Sequence, residues 1–402
     1  MTALPDRLAH APDDTVDEVA GAPFSRAEAV AAIGLGVIAL LMGGLMALLL
    51  AALEQEHRLS AAGIGQTAML EALSTGIVAG LAGVLLPPRR LKLLAALAAL
   101  VLVAADLATL RASGLGVSAL RLAAGLPEGL LLWITIGFVA RTRTPERWTA
   151  VLFAGMGLSQ LAFATGLSAF LLPRFGANSG YLAVAAAAGL ALPLALIAPG
   201  GFGPMPGSGD KVAGPPPPIG WVVLFATLML AASLSAVGIY GVPLAVQAGL
   251  TVDQSRAAVP VALGCQIAGA LLATVIAGHV RYIWIFLGTG ATFFALWGAL
   301  AGHPPFWLVI VLSGASGLAG TLSAPFLIAM TTEADPSRRT ALQSGPVQLL
   351  AGALGPFAAS LAVREHDAHG VLALGAAMQA FGLLIALWVH YRGAPEVEPK
   401  RA

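Results

Sequence analysis

The chain has 402 residues, 58% of them apolar and only 10% charged, with a formal net charge of +1. A soluble domain carries about a quarter charged residues, so an ordinary soluble globule is excluded. The near-neutral balance predicts no nucleic-acid partner; the few charges matter by position.

Cys265 is the only cysteine, which rules out an internal disulfide and any cysteine-based metal cluster. The histidines show neither H-x-x-x-H nor H-E-x-x-H spacing, and the closest pair, His366 and His369, sits in a polar stretch with Glu365 and Asp367. No G-x-x-x-x-G-K-S/T phosphate loop occurs, which argues against an ATP-driven pump. No cofactor and no metal are expected.

Residues 1–28 are polar and acidic, with Asp13, Asp14, Asp17 and Glu18, and read as a disordered cytoplasmic tail rather than a secretory signal. Twelve apolar segments follow, at 29–53, 62–86, 91–111, 115–140, 149–172, 179–199, 219–246, 255–279, 280–301, 305–330, 338–363 and 370–391. About 20 apolar residues cross a bilayer, and a spanning segment must satisfy its own backbone, so each reads as a helix. The fold class is therefore all-α integral membrane with twelve transmembrane helices. Residues 200–218, rich in Gly and Pro, form a linker. It separates a six-helix bundle at 29–199 from a second at 219–391, with a short cytoplasmic tail at 392–402. Two equal bundles suggest a pseudo-symmetric repeat with a binding site between them near the midplane.

Lys and Arg set the orientation. With a cytoplasmic amino terminus, fifteen fall inside and five (Arg58, Arg111, Arg174, Arg256 and Arg364) fall outside. Both termini are then cytoplasmic, in a bacterial-type inner (plasma) membrane.

Arg121 is the basic residue left at bilayer depth. An ionisable group there is a functional hypothesis by default. Glu128 lies seven residues on, nearly on the same helical stripe. Gly125 and Gly129, at steps of four from Arg121, suit close packing against a neighbouring helix. Glu71, in the second segment, is a further buried ion. At 1.5 Å per residue, Glu71 lies roughly 13 Å and Arg121 roughly 9 Å from the outer end, with Glu128 deeper at roughly 20 Å. Glu71 and Arg121 are thus expected to pair, leaving Glu128 the less compensated acid. Glu128 and Glu71 are the candidate proton-coupling residues, and Arg121 the anchor for an anionic substrate; a packing network is the alternative reading for all three, and a gate contact between the second and eleventh segments a further alternative for Glu71. Asp106, near the outer end of the third segment and close to Arg111, reads as interfacial.

The second half offers Tyr240, Gln247 and Gln266 as candidate substrate contacts, with Gln160 on the fifth segment. Ligand sites are largely apolar with a few placed polar groups. Interhelical hydrogen bonding is the alternative reading for each. The tryptophans mostly fall near segment ends, as in an aromatic belt.

Two local motifs resemble the major facilitator superfamily. The loop after the second segment has Gly83 followed by VLLPPRRLK, with Arg89, Arg90 and Lys92 in the family's basic cluster. Pro87 stands where the family has an Asp, and Arg90 where it has a second Gly. Gly278 to Arg281 gives a shorter echo. The resemblance implies a gating role for Gly83, Arg89, Arg90 and Arg281. The R-x-x-x-G-x-x-x-G run, with Arg121, Gly125, Glu128 and Gly129, resembles the organic-anion and spinster-like branches, although the first segment lacks the Arg of the organic-anion branch. The fifth segment lacks the Gly-Pro pair usual in drug antiporters of the superfamily.

The reading is a secondary active transporter that moves a small organic, anionic solute with protons by alternating access. Its partners are that solute, protons and the lipid bilayer, and it is expected to work as a monomer. The alternative is a proton-coupled multidrug or metabolite efflux antiporter. No nucleophile–base pair occurs at matching depth, so an enzyme is not expected.

Overall fold

Ser25 starts the first long helix with a capping box: its hydroxyl accepts from the Glu28 backbone N–H, and the Glu28 carboxylate accepts from the Ser25 N–H. The protein is described by a computed structural model covering residues 15–16, 24–142, 144–203, 215–276, 279–335, 339–364 and 367–393. Most of the acidic tail and most of the Gly/Pro linker lie outside these residues, as do Gly278, Glu365 and His366. Thr15–Val16 pairs antiparallel with Phe24–Ser25 ahead of the helices, and Phe24 packs its ring 5.0 Å from that of Phe138. The helix thus begins within the segment read from sequence as tail.

The helices are α1 (Arg26–Gln55), α2 (Ala61–Leu85), α3 (Leu91–Thr109), α4 (Leu115–Val139), α5 (Pro145–Gly166), α6 (Leu172–Gly189) and α7 (Ala191–Ile197). After the linker come α8 (Pro218–Ile239), α9 (Gly241–Gln247), α10 (Val252–Ile276), α11 (Tyr282–Leu300), α12 (Phe306–Ala334), α13 (Arg339–Ala362) and α14 (His369–Gly393). A π-helical turn, Leu167–Leu171, joins α5 to α6, and the chain reverses at Gly176, whose φ of 70° is in the left-handed region. The fifth span therefore runs through α5 into the start of α6, and the sixth comprises the rest of α6 with α7. Likewise α8 and α9 form one span, interrupted at Tyr240. Together with α1–α4 and α10–α14, these make twelve spans among the described residues.

An even number of spans puts the linker and both ends of the helical body on one face, here the linker face; the opposite face is the far face. The pairings repeat between halves. In the first half α2 packs on α4, α3 on α4 and α1 on α5; in the second, α10 packs on α12, α11 on α12 and α8 on α13. Each pair occupies the same place in its bundle, so the pseudo-symmetry is visible in the packing. Both central pairs use glycine for close approach. A Cβ on Gly125 would stand 2.5 Å from the Glu71 carbonyl oxygen, and one on Gly317 would stand 2.9 Å from the Ala262 Cα.

The halves meet along α2 with α13 and along α5 with α10, again an equivalent pair. Hydrogen bonds close the far face. The Tyr240 hydroxyl accepts from the Gly65 N–H at 3.1 Å and donates to the Ala61 carbonyl at 2.9 Å. Arg256 donates to the Gln55 side chain at 2.6 Å. Beside Tyr240, a Cβ on Gly65 would overlap the Pro356 carbonyl oxygen and stand 2.9 Å from the Ser360 Cβ.

Candidate functional site

Arg121, Glu71 and Glu128 come together inside the first bundle. Arg121 and Glu128 project from α4 toward α2, which supplies Glu71. The Arg121 Nη1 lies 3.6 Å from a Glu71 carboxylate oxygen, the pairing expected from depth. Its shortest contact is elsewhere: Nη2 donates to Asp106 Oδ1 on α3 at 2.6 Å and lies 3.2 Å from the Thr109 hydroxyl. The guanidinium also sits 5.2 Å from the centre of the Tyr181 ring on α6. Glu128 accepts from the Thr75 hydroxyl at 3.0 Å. Exposure is 0% for Arg121 and Asp106, 1% for Glu71 and 5% for Glu128. This is one cation among three acids in a dry interior.

Asp106 corrects the sequence reading. It is buried at Arg121 rather than interfacial. Helix α3 ends at Thr109, and Arg58 covers that end by donating to the Thr109 and Ala112 carbonyls. The turn is thereby held inside the protein, and Asp106 with it. Tyr181 was also missed. It stands in an alanine-rich run, YLAVAAAAG, whose pattern carries no sign of a cation on its face.

A cavity of about 640 Å³ lies beside this cluster, on the other side of α2. Ala68 and Ala72 of α2 line it, while Glu71, between them in sequence, faces α4. Among the described residues, the lining contains no Asp, Glu, Lys, Arg or His. Its polar groups include Gln266, Ser235, Ser316 and Thr321, and its aromatic wall is Phe293 stacked on Trp297 with ring centres 5.8 Å apart. Trp297 and the buried Trp133 thus stand in the interior, whereas Trp221, Trp284, Trp307 and Trp388 are exposed as an aromatic belt requires.

The other expected contacts divide. Gln266 reaches the cavity. Gln160 donates to the Leu40 carbonyl at 2.8 Å and ties α5 to α1. Tyr240 is consumed in the far-face closure, and Gln247 accepts from the Ala368 N–H at 3.0 Å beyond the end of α9. Arg121 does not line the cavity, because its fork is directed at Asp106 and Glu71 behind α2.

At the linker face, Arg89, Arg90 and Arg281 are exposed. Arg90 adopts a φ of 56°, the left-handed conformation that glycine would take at no steric cost. Instead of a carboxylate latch at Pro87, backbone hydrogen bonds hold this loop to the chain after α7: Leu91 N–H to Gly200 and Phe202 N–H to Pro88, at 3.1 and 2.9 Å. Gly83 lies against Trp133, with 3.5 Å from a Cβ to the indole nitrogen.

No protein-family model matches the sequence, and no curated protein matches it. Solved structures do match its shape. A point mutant of the nucleoside transporter NupG superposes with a TM-score of 0.71 at 10% identity, covering 90% of this chain and 99% of that one. The chain has the major facilitator fold. A D-xylose–proton symporter superposes at 0.67 with 14% identity, over 90% of this chain and 97% of that one. A bacterial homologue of the human lysosomal transporter Spinster, inward-facing and unoccupied, superposes at 0.58 with 12% identity, over 92% and 96%. In this major facilitator arrangement the cavity lies against both halves, and the charged cluster lies within one of them.

Proposed function

We propose that the protein is a secondary transporter of a small organic solute, driven by alternating access and linked to protons through the buried carboxyls. The observation that carries this reading is the double face of α2. One side bears Glu71 in the charged cluster, the other lines the cavity, and its far end at Gly65 forms the closure against α13. A change of charge in the cluster is therefore one helix away from both the cargo and the gate. Coupling requires a ligand that binds the alternating states unequally, and α2 is the element through which proton and cargo can each bias them.

The cargo best suited to the cavity is uncharged. An anion would be stripped of water against a wall without a countercharge, and Arg121 is already held by Asp106 and Glu71. The lining favours a compact, mostly apolar solute with a few hydrogen-bonding groups, ringed for stacking on Trp297. The volume suits a drug-sized molecule. The efflux reading shares this pocket and differs only in the direction of the accompanying proton.

A thermal-shift screen of the purified protein with nucleosides, organic acids and lipophilic cations tests the cargo class. Stabilisation is expected from uncharged compounds, and Gln266→Ala is expected to weaken it at least tenfold in concentration. Stabilisation by organic acids alone would restore the anion reading.

A further inference from the structure

A side alcove of about 170 Å³ adjoins the cavity inside the second bundle, walled by α8, α11, α12, α13 and α14. Leu234, Phe293 and Gly320 line both spaces. Phe286 and Thr289 of the alcove precede Phe293 on α11, so it lies on the linker-face side of the Phe293–Trp297 stack. Its polar side chains are Thr289, Ser323, Gln348 and Gln379, one each from α11, α12, α13 and α14. Among the described residues no charged side chain lines it. Gln379 is only 2% exposed, and Ser233 on α8 holds its amide oxygen at 2.6 Å. The amide nitrogen has no hydrogen-bond partner among the described residues. Gln348 donates its amide nitrogen to the Ser344 hydroxyl at 3.2 Å, and its amide oxygen is likewise without a partner among them.

Thr289 and Ser323 spend their protons on carbonyls of their own helices, at 3.3 and 2.9 Å, and keep their oxygens as acceptors. The alcove thus offers one amide donor and three acceptor oxygens. An anion would set its own acceptors against those oxygens, and a cation would find no countercharge. A neutral group with more than one O–H meets the set. A dry cavity of about 150 Å³ holds a benzene ring, so the alcove takes an arm of roughly six non-hydrogen atoms. Gly320 keeps the junction with the cavity open: a Cβ there would meet the Leu234 side-chain tip at 3.4 Å and nothing else within 4 Å. We propose that the alcove is a second subsite for the cargo. It takes a short, uncharged, hydroxylated arm, with Gln379 and Gln348 as specificity contacts, while the ring that bears the arm lies against Phe293 and Trp297. The assignment rests on the reading of the cargo as uncharged, and narrows it to a flat ring with a polyol arm.

Titration calorimetry of the purified full-length protein tests this with three probes that share one ring: phenyl glyceryl ether, with a diol arm; phenyl propyl ether, with an apolar arm; and phenoxypropionic acid, with a carboxylate arm. The glyceryl ether is expected to bind about tenfold more tightly than the propyl ether, the worth of one well-made buried hydrogen bond. The acid is expected to bind most weakly. Gln379→Leu and Gly320→Val are each expected to bring the glyceryl-to-propyl ratio close to one, the first by removing the donor and the second by plugging the junction. Gln266→Ala, which faces the cavity and not the alcove, is expected to weaken both neutral probes together. Equal binding of the two neutral probes by the wild type overturns the subsite and leaves the uncharged-cargo reading standing. A preference that survives both Gln379→Leu and Gly320→Val overturns the subsite equally. Binding of the acid alone would overturn the cargo reading and the subsite with it, and binding of none of the three would overturn the ring-and-arm cargo assigned here. The wild-type ratio needs no variant, so a variant that fails to fold does not shield the proposal.

Discussion

Replacing Arg121 by Ala is expected to be the most damaging single change in the first bundle. Its guanidinium is fully enclosed and contacts Asp106, Glu71, Thr109 and Tyr181. Removing it leaves three acids in the same dry volume. Breaking a buried ion pair from one side costs about 3–5 kcal/mol, because the remaining charge is left uncompensated. Here the acids must take up protons to survive, so the variant should melt at markedly lower temperature in detergent and recover in part at acid pH. Arg121→Lys should fare little better. An ammonium is a point charge and cannot reach Asp106 and Glu71 with separate arms of a planar fork. Thermal unfolding across a pH series checks both. A variant as stable as the wild type at neutral pH would mean that the acids are not held by this cation.

The second large effect is expected at the far-face closure. Gly65→Val introduces a β-branched side chain where a Cβ already overlaps the backbone oxygen of Pro356. A backbone atom cannot rotate away as a side-chain tip can. Overpacking of this kind costs about 1–3 kcal/mol, and each 1.4 kcal/mol moves an equilibrium about tenfold. The strain exists only while α2 and α13 are closed, so the variant should favour a state with the far face open rather than unfold. The check is thiol labelling of Ala72→Cys, a cavity position, in a Cys265→Ala background. An impermeant reagent applied from the far side should react at least tenfold faster in Gly65→Val. An unchanged rate in a well-folded variant would show that this contact is not a gate.

Much of this fold was legible in the sequence because a bilayer imposes a length on every span. The fourth segment, expected at 115–140, is α4 at Leu115–Val139. The eleventh, expected at 338–363, is α13 at Arg339–Ala362. Where the chain departs from a simple crossing, hydropathy was blind: the π-helical turn at Leu167–Leu171 and the reversal at Gly176 leave no apolar boundary. Depth along a helix foretold that Glu71 and Arg121 would meet. It failed for Asp106, since distance from a segment end says nothing of how another loop, here through Arg58, covers that end. It also could not say which side of α2 the cavity would occupy. Arg121 looked like a cargo anchor from sequence because position along the helix was readable and direction around it was not.

The most direct measurement of the account as a whole is proton movement in proteoliposomes loaded with a pH-sensitive dye. Uncharged solutes that stabilise the protein are added at neutral pH, with labelled solute followed in parallel. Wild type is predicted to move protons whenever it moves solute, and Glu128→Gln to exchange labelled solute across the membrane without moving protons. Net solute transport by the wild type with no proton movement, or unaltered proton movement in Glu128→Gln, would contradict it.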